Sequence, residues 1–275
     1  MWENFMIELI KSYVDKTKTP AEQMHQLREA LQILVLKVLY DIHGFKHLTF
    51  TGGTALRIVF QIPRYSEDLD FSLSYPPSFH FENIYQQLVA QLTQHYGLKL
   101  TASMDAETNV YKIHLKFSEL LWAFKLSGHK NENLLIKIEI DIKPPPGGIV
   151  ALSLLNQAYT FTVSHFDLPS LFATKLHDCF FRKYTKGRDV YDLIWYLARR
   201  VVPNFTLLNA AVLQTQKFDL GVDAGNFKDY LLKGINGFDM EKARADIERF
   251  LINKSELDLF KKETLKKVVE SLDYV

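Results

Sequence analysis

Residues 52–70 constrain the fold more than any other part of this 275-residue chain. The letters HLTFT before them indicate a short strand, and the pair Gly52-Gly53 indicates a turn. A short amphipathic helix is expected from Thr54. Polar and apolar residues then alternate around Asp68 and Asp70, which predicts a strand with both aspartates on one face. The order strand, turn, helix, strand favours an α+β core.

Two carboxylates on one strand face repel each other, so the pair calls for a compensating cation. Their spacing suits a hard, oxygen-loving ion such as magnesium. Most Asp-x-Asp pairs are nevertheless solvated surface features. Asp141 lies on the polar face of a second alternating strand, in residues 134–143, and could complete a site for two metal ions. Glu139 shares that face and is the alternative third carboxylate.

The glycine turn precedes a helix start, where free backbone N–H groups favour a phosphate. Thr54 would add a hydroxyl donor. An ordinary strand-to-helix connection is the alternative, because glycine is the commonest turn residue. The nearby Arg64, Ser66 and Glu67, which lead into the aspartates, favour the phosphate site.

The string TGGTALRIVFQIPRYSEDLDFSL closely resembles the first motif of the AbiEii/AbiGii-type nucleotidyltransferases, a branch of the DNA polymerase β-like superfamily. The resemblance implies a mixed sheet flanked by helices. It implies that Asp68 and Asp70 bind magnesium, with manganese as an alternative, and act in catalysis. It also implies a set of residues that bind the triphosphate: Gly52, Gly53, Thr54, Arg64 and Ser66.

A second string, LPSLFATKLHDCFFRKYTKGRDVYDLIWYL, resembles a later motif of the same family. The resemblance implies that Lys175 and Asp189 are catalytic. Lys175 would direct a positive charge from a helix toward phosphates, and Asp189 and Asp192 share one helical face. The alternatives are that Lys175 is solvated and that Asp192 caps the helix or pairs with Arg188 or Lys186.

Three prolines and two glycines at residues 144–148 predict a domain boundary. Residues 1–148 would form the nucleotidyltransferase core with N-terminal helices in residues 2–14 and 20–42. Pro76-Pro77 would end the acidic strand. Residues 149–275 would form a mainly helical domain that completes the active site. The resemblance covers residues 40–200.

The 33 basic and 32 acidic residues nearly cancel, so charge alone nominates no partner. Cys179 is the single cysteine, which excludes an internal disulfide and a clustered cysteine zinc site. None of the nine histidines belongs to the His-Glu-x-x-His pattern of a zinc hydrolase. No segment has the pattern of a secretion signal or a membrane span, so we expect a cytoplasmic protein.

The resemblance implies transfer of a nucleoside monophosphate from a nucleoside triphosphate (NTP) to a hydroxyl. The acceptor would be RNA, at the 3′ end of a transfer RNA, or a protein. The protein would be the toxin of a toxin–antitoxin or abortive-infection system with a cognate antitoxin. Basic residues at 182, 183, 186 and 188 offer a local RNA-binding patch. The alternatives are an antibiotic-type small-molecule nucleotidyltransferase, a non-catalytic binding subunit, and a toxin that acts through protein contact.

Overall fold

A computed structural model describes residues 10–74 and 79–272. Within them the chain forms a seven-stranded mixed sheet in the order β3-β4-β5-β2-β1-β7-β6. Strand β1 pairs antiparallel with β2 and parallel with β7, and β2 pairs parallel with β5. The strands are β1 (Leu48–Thr51), β2 (Leu69–Leu73), β3 (Leu100–Ala106), β4 (Val110–Phe117), β5 (Leu134–Asp141), β6 (Val150–Asn156) and β7 (Thr160–Phe166).

The helices flank the sheet strands in sequence and then dominate the C-terminal part. They are α1 (Pro20–Asp41), α2 (Gly52–Ile58), α3 (Phe81–Ala90), α4 (Leu120–Ala123), α5 (Leu168–Phe181), α6 (Gly187–Ala198), α7 (Phe205–Gln216), α8 (Phe227–Asn236), α9 (Met240–Ile247) and α10 (Lys262–Glu270). A mixed sheet with these helices confirms the predicted α+β class. No helix in the described ranges has the length and apolar character needed to cross a membrane.

Local sequence explains where the main helices begin. The Thr19 side chain accepts a hydrogen bond from the backbone of Glu22, whose own side chain returns to the cap, as the capping-box pattern predicts. At α5, the Asp167 side chain accepts from the backbone N–H of Ser170. Pro20 and Pro169 each occupy the first turn, where a missing N–H costs nothing.

The chain divides into two compact units. The sheet unit contains the described residues within 1–60, 65–143 and 152–165, and the helical unit those within 61–64, 144–151 and 166–275. The prediction of a mainly helical chain after residue 148 missed the β6–β7 hairpin. In β6 the exposed positions alternate with less exposed ones, but Val150, Leu152 and Leu154 on the exposed side are apolar, so the sequence lacks the polar-out pattern that marks a half-buried strand.

Two predicted features fall partly outside the described residues. The first helix was expected over residues 2–14, of which residues 10–13 are helical in the structure. The stop at Pro76-Pro77 lies in the undescribed segment 75–78, and β2 ends at Leu73 just before it.

Candidate active site

The carboxylate of Asp70 lies against the glycine turn. Thr51 and Asp70 are partners across the β1–β2 ladder, and Gly52 follows directly with φ of +73°. A Cβ atom at Gly52 would lie 2.2 Å from Asp70 Oδ2, closer than any real contact allows. Glycine is therefore required at position 52 both by its left-handed backbone and by the carboxylate that fills the side-chain space.

Thr54 and Ser66 connect the helix start to the acidic strand. The Thr54 side chain is fully buried, and its hydroxyl lies 2.8 Å from the Ser66 hydroxyl. The same Thr54 oxygen also makes a short hydrogen bond to the backbone carbonyl of Asp68. Both hydroxyls were predicted as phosphate ligands, but the structure uses them inside the protein, where they fix the backbone just before Asp70.

Helix α1 braces the same loop through a residue that sequence reasoning missed. Gln32 is buried in an otherwise apolar stretch of α1, and its amide donates to the carbonyls of Ser66, at 3.3 Å, and Glu67, at 2.8 Å. Arg28 lies 3.5 Å from Glu67 in a partly exposed ion pair. The sequence does contain a signal for this role, because Gln32 is a single polar residue among leucines and valines and a buried polar group needs hydrogen-bond partners.

The strand register brings Glu139 beside Asp70. Asp70 pairs with Glu139 across the parallel β2–β5 ladder, and Asp141 pairs one step further along, with Ser72. Paired residues on parallel strands point to the same face. An Asp141 oxygen accepts a hydrogen bond from the backbone N–H of Lys143 at 2.9 Å, and burial raises the pKa of Asp141. Of the two alternatives, Glu139 is therefore the nearer neighbour of the aspartates.

Lys137 adds a positive charge to this face. Its ammonium lies 2.5 Å from Glu139 Oε1. The hydrogen bond with Glu139 is the main reason that the pKa of Lys137 is raised, and the charges of Asp68 and Asp70 contribute to the same shift. Both aspartates are half-buried, so this end of β2 combines two partly exposed acidic residues with one lysine. Sequence reasoning did not single out Lys137.

Within the described ranges, no group of three or more His, Cys, Asp or Glu side chains is arranged to hold a metal ion. The predicted set of Asp68, Asp70 and Asp141 is thus not assembled as a three-carboxylate group. The half-buried pair still suits magnesium chemically, because that ion takes one or two protein carboxylates and completes its shell with water and substrate phosphates.

In the helical unit, Lys175 is held between two carboxylates. Its ammonium lies 2.8 Å from Asp189 Oδ1 and 3.0 Å from Asp192 Oδ2. Burial by itself would lower the pKa of Lys175, but the two carboxylates outweigh it and raise the pKa. The predicted pair of Lys175 and Asp189 is in direct contact, and the alternative of a solvated Lys175 is wrong because the residue is buried.

Arg64 pairs with Asp192 instead of lying free for a phosphate. Its Nε and Nη2 atoms each lie 2.7 Å from one oxygen of Asp192, and the side chains are 1% and 0% exposed. Two charge-assisted hydrogen bonds in this fork geometry are strong. The partners proposed from sequence for Asp192, Arg188 and Lys186, are therefore replaced by Arg64 and Lys175.

Arg182 and Asp178 extend the set into a chain of six alternating charges. Arg182 lies 2.9 Å from Asp189 and 3.0 Å from Asp178. Burial would raise the pKa of Asp189, but Lys175 and Arg182 lower it. We call this set the buried charge chain after its four inner members, whose side chains are at most 8% exposed, whereas those of Arg182 and Asp178 are 35% and 33% exposed. Its members are Arg64, Asp192, Lys175, Asp189, Arg182 and Asp178. Equal numbers of cations and anions leave it formally neutral.

The remaining residues near α5 are mostly structural. Cys179 donates to the Asp189 carbonyl at 3.3 Å, and burial raises its pKa. Phe180 stacks on Phe238. Of the predicted basic patch, Arg182 belongs to the charge chain, and the Arg188 guanidinium lies 4.4 Å from the Phe250 ring centre. Lys183 is exposed and Lys186 is half-buried.

Two crystal structures from Helicobacter pylori have a similar fold. That of JHP933 gives a TM-score of 0.56 at 16% identity, covering 94% of this chain and 92% of that chain. A second H. pylori protein, assigned as a candidate nucleotidyltransferase, gives 0.54 at 18% identity, covering 89% of this chain and 94% of that one. At such identities the likeness shows a shared fold.

Sequence comparison then identifies the particular family. The chain belongs to the family described as nucleotidyl transferase AbiEii toxin, type IV TA (toxin–antitoxin) system, whose sequence profile matches residues 34–268. The predicted family is confirmed, and the match extends well beyond the two motifs that suggested it. Among curated proteins, no sequence matches this chain significantly.

Proposed function

We propose that the protein transfers a nucleoside monophosphate from an NTP to a hydroxyl acceptor in a magnesium-dependent reaction. One observation carries the proposal: the Asp70 carboxylate lies against Gly52 at the start of α2, inside the region that matches a nucleotidyltransferase family. An acidic group beside backbone N–H groups at a helix start combines a ligand for a cation with donors for phosphate oxygens, which is what a metal-bound triphosphate requires.

The residues of the sheet unit divide into two roles in this proposal. Asp68 and Asp70 would hold the magnesium ion, which supplies charge neutralisation to the triphosphate when bound. Because no three carboxylates in the described residues form a ready-made metal group, a third carboxylate would join Asp68 and Asp70 only on binding. Glu139, the register partner of Asp70, is proposed for that part in preference to Asp141. Gly52 and Gly53 would contact phosphates through their backbone, whereas Thr54 and Ser66 position the loop through the hydrogen bond between them.

In the helical unit, Lys175 is proposed to contribute positive charge during transfer. Asp189 and Asp192 keep its ammonium protonated and fixed in place. Arg64 acts through Asp192, so its part is positioning and not phosphate binding. Phosphoryl transfer depends mainly on such positioning and charge stabilisation, which is why a fixed ammonium suits it.

The acceptor is proposed to be RNA, with the 3′ end of a transfer RNA first and a protein hydroxyl second. Either modification would arrest growth, which fits the toxin family to which the chain belongs. The proposal therefore includes cytoplasmic action and a cognate antitoxin. Exposed Lys183, together with Lys186 and Arg188, would supply local positive charge for RNA.

The test is a labelling experiment. The protein is incubated with each labelled NTP, magnesium and either total RNA or cell extract. We expect label to enter RNA, and Asp70→Asn to reduce transfer at least about 100-fold. Asp105→Asn, on the exposed strand β3, is the matched control and keeps full activity. Sensitivity of the product to ribonuclease or protease identifies the acceptor, and label in small molecules alone would favour the antibiotic-type alternative.

Transfer that persists undiminished in Asp70→Asn would contradict the proposed site. Complete absence of transfer with every NTP and acceptor would favour a non-catalytic toxin subunit. An activity that survives exhaustive chelation of divalent ions would contradict the metal requirement alone.

A further inference from the structure

The two edges of the sheet are protected to different degrees. At one edge, strand β3 contains Asp105 and is flanked by Lys99 and Glu107. At the other edge, β6 and its neighbour β7 lie in residues 144–166, which contain no Asp, Glu, Lys or Arg. Proteins that stay monomeric usually protect edge strands with charges or prolines, because open backbone groups recruit other strands. Pro144, Pro145 and Pro146 precede β6, but the strand itself contains neither a charge nor a proline, so of the two edge strands only β3 follows that rule.

Strand β6 also exposes large apolar side chains. Leu152 and Leu154 are 71% and 68% exposed, and both belong to the sheet unit. They lie on one face of the strand, since alternate residues share a face. Ser153 points to the opposite face, where its hydroxyl lies 2.8 Å from His165 Nε2. In the described part of the chain, no other strand pairs with the outer side of β6.

We propose that β6 pairs antiparallel with β6 of a second copy of this chain, forming a twofold-symmetric dimer. The pairing is centred on Ser153, the middle residue of β6, so that Leu152 of one copy lies opposite Leu154 of the other. Such a dimer satisfies the open backbone groups of both edge strands and brings the exposed leucines of the two copies into cross-strand contact.

The absence of charged residues on β6 favours a second copy of the chain as its pairing partner. A strand that pairs with itself about a twofold axis places any charge near the axis close to the same charge of its partner, which is destabilising. An uncharged strand avoids this cost entirely. A partner that recognised its target through acidic or basic side chains would find no opposite charge on β6. The composition of β6 therefore fits self-pairing.

Analytical ultracentrifugation of the full chain tests the proposal. We expect the wild type to dimerise at concentrations up to about 100 μM, and Leu154→Lys to weaken dimerisation at least about tenfold. Met104→Lys is the matched control, because Met104 is an exposed apolar residue on the opposite edge strand. It leaves the dimer unchanged. Circular dichroism establishes that the variants are folded.

Two double variants test the register. Leu152→Lys with Leu154→Glu places opposite charges across the proposed twofold axis, whereas Leu152→Lys with Leu154→Lys places like charges there. We expect the first to dimerise at least about tenfold more tightly than the second. Equal affinities would contradict the register centred on Ser153.

Hydrogen exchange provides a measurement without substitutions. In the wild type, protection of the outward-facing amides of β6 rises with protein concentration, and that of β3 does not. A wild type that remains monomeric at about 100 μM would overturn the proposal. So would a dimer that Leu154→Lys leaves intact, because a different surface would then form it.

Discussion

The acidic face of β2 and the buried charge chain of the helical unit use carboxylates in opposite ways. Asp68 and Asp70 are half-buried, and Glu139 and Lys137 accompany them. In the charge chain, by contrast, Asp192 is completely buried and is contacted by both Arg64 and Lys175. A half-buried carboxylate can exchange a partner for a ligand, whereas a completely buried carboxylate contacted by two cations holds those cations in place. Two motifs of one family thus have distinct physical tasks.

The largest effect is expected from breaking the charge chain. Asp192→Asn leaves Arg64 and Lys175 buried with incomplete compensation, so we expect unfolding free energy to fall by about 3–5 kcal/mol. Urea denaturation measures this loss. Asp258→Asn is the control, because Asp258 is 79% exposed in a 3.8 Å ion pair with Arg244 and should cost below about 1 kcal/mol. Similar losses of unfolding free energy in Asp192→Asn and Asp258→Asn would show that the charge chain is no more important for stability than an exposed ion pair.

The glycine turn offers the next test. In Gly52→Ala the added methyl group collides with the Asp70 carboxylate and favours negative φ. We expect transferase activity to fall at least about 100-fold, equivalent to about 2.7 kcal/mol of transition-state stabilisation. Activity is measured with the acceptor found for the wild type. Gly128→Ala, in open space, controls for a general effect of glycine replacement. An active Gly52→Ala variant would show that the contact with Asp70 has no part in catalysis.

The strand register predicts a smaller difference between two conservative substitutions. Glu139→Gln should reduce activity at least about tenfold more than Asp141→Asn, because Glu139 is the residue paired with Asp70. Titrating magnesium in each variant separates weaker metal binding from lower maximal rate. If Asp141→Asn has the larger effect, the side chain one step along the strand is the third carboxylate.

The smallest expected effect is on the pH dependence of stability, through His177, which lies next to Asp178 of the charge chain. Burial lowers the pKa of His177, whose ring also bonds Thr215 at 2.7 Å. The unfolded state therefore binds the proton more readily, and the stability gained from neutral His177 is lost as pH falls below about 6.5. We expect His177→Gln to flatten the dependence of unfolding free energy on pH in that range. Parallel curves for wild type and variant would exclude this contribution.

Local sequence patterns predicted the elements that depend on neighbours in the chain. Residues 48–73 form the expected strand, helix and strand, because glycine signals and alternation act within a few residues. The helix, however, begins at Gly52 itself and ends at Ile58, so the two glycines predicted as a turn are its first residues. The capping box at Thr19 began its helix where expected for the same reason. The resemblance to the family's second motif singled out Lys175 and Asp189, and the structure shows that the two are in contact.

Features that depend on distant partners could not be predicted. The choice between Glu139 and Asp141 is decided by strand register, which no local pattern encodes. Gln32 braces a loop 34 residues away, and its role is visible only once α1 is packed. Arg64 looked like a phosphate ligand because it lies in the first motif, although its partner Asp192 lies in the second.

The bond between Arg64 and Asp192 joins positions 128 residues apart. A C-terminal fragment beginning at residue 149 would contain Asp192 and Lys175 but would lack the guanidinium that completes the set. Such a fragment could not reproduce the native helical unit when expressed alone. During synthesis, Arg64 can pair with Asp192 only after the 128 further residues, nearly half of the chain, have been made. Contacts between remote positions slow folding. The interior of the helical unit therefore forms completely only late in chain synthesis.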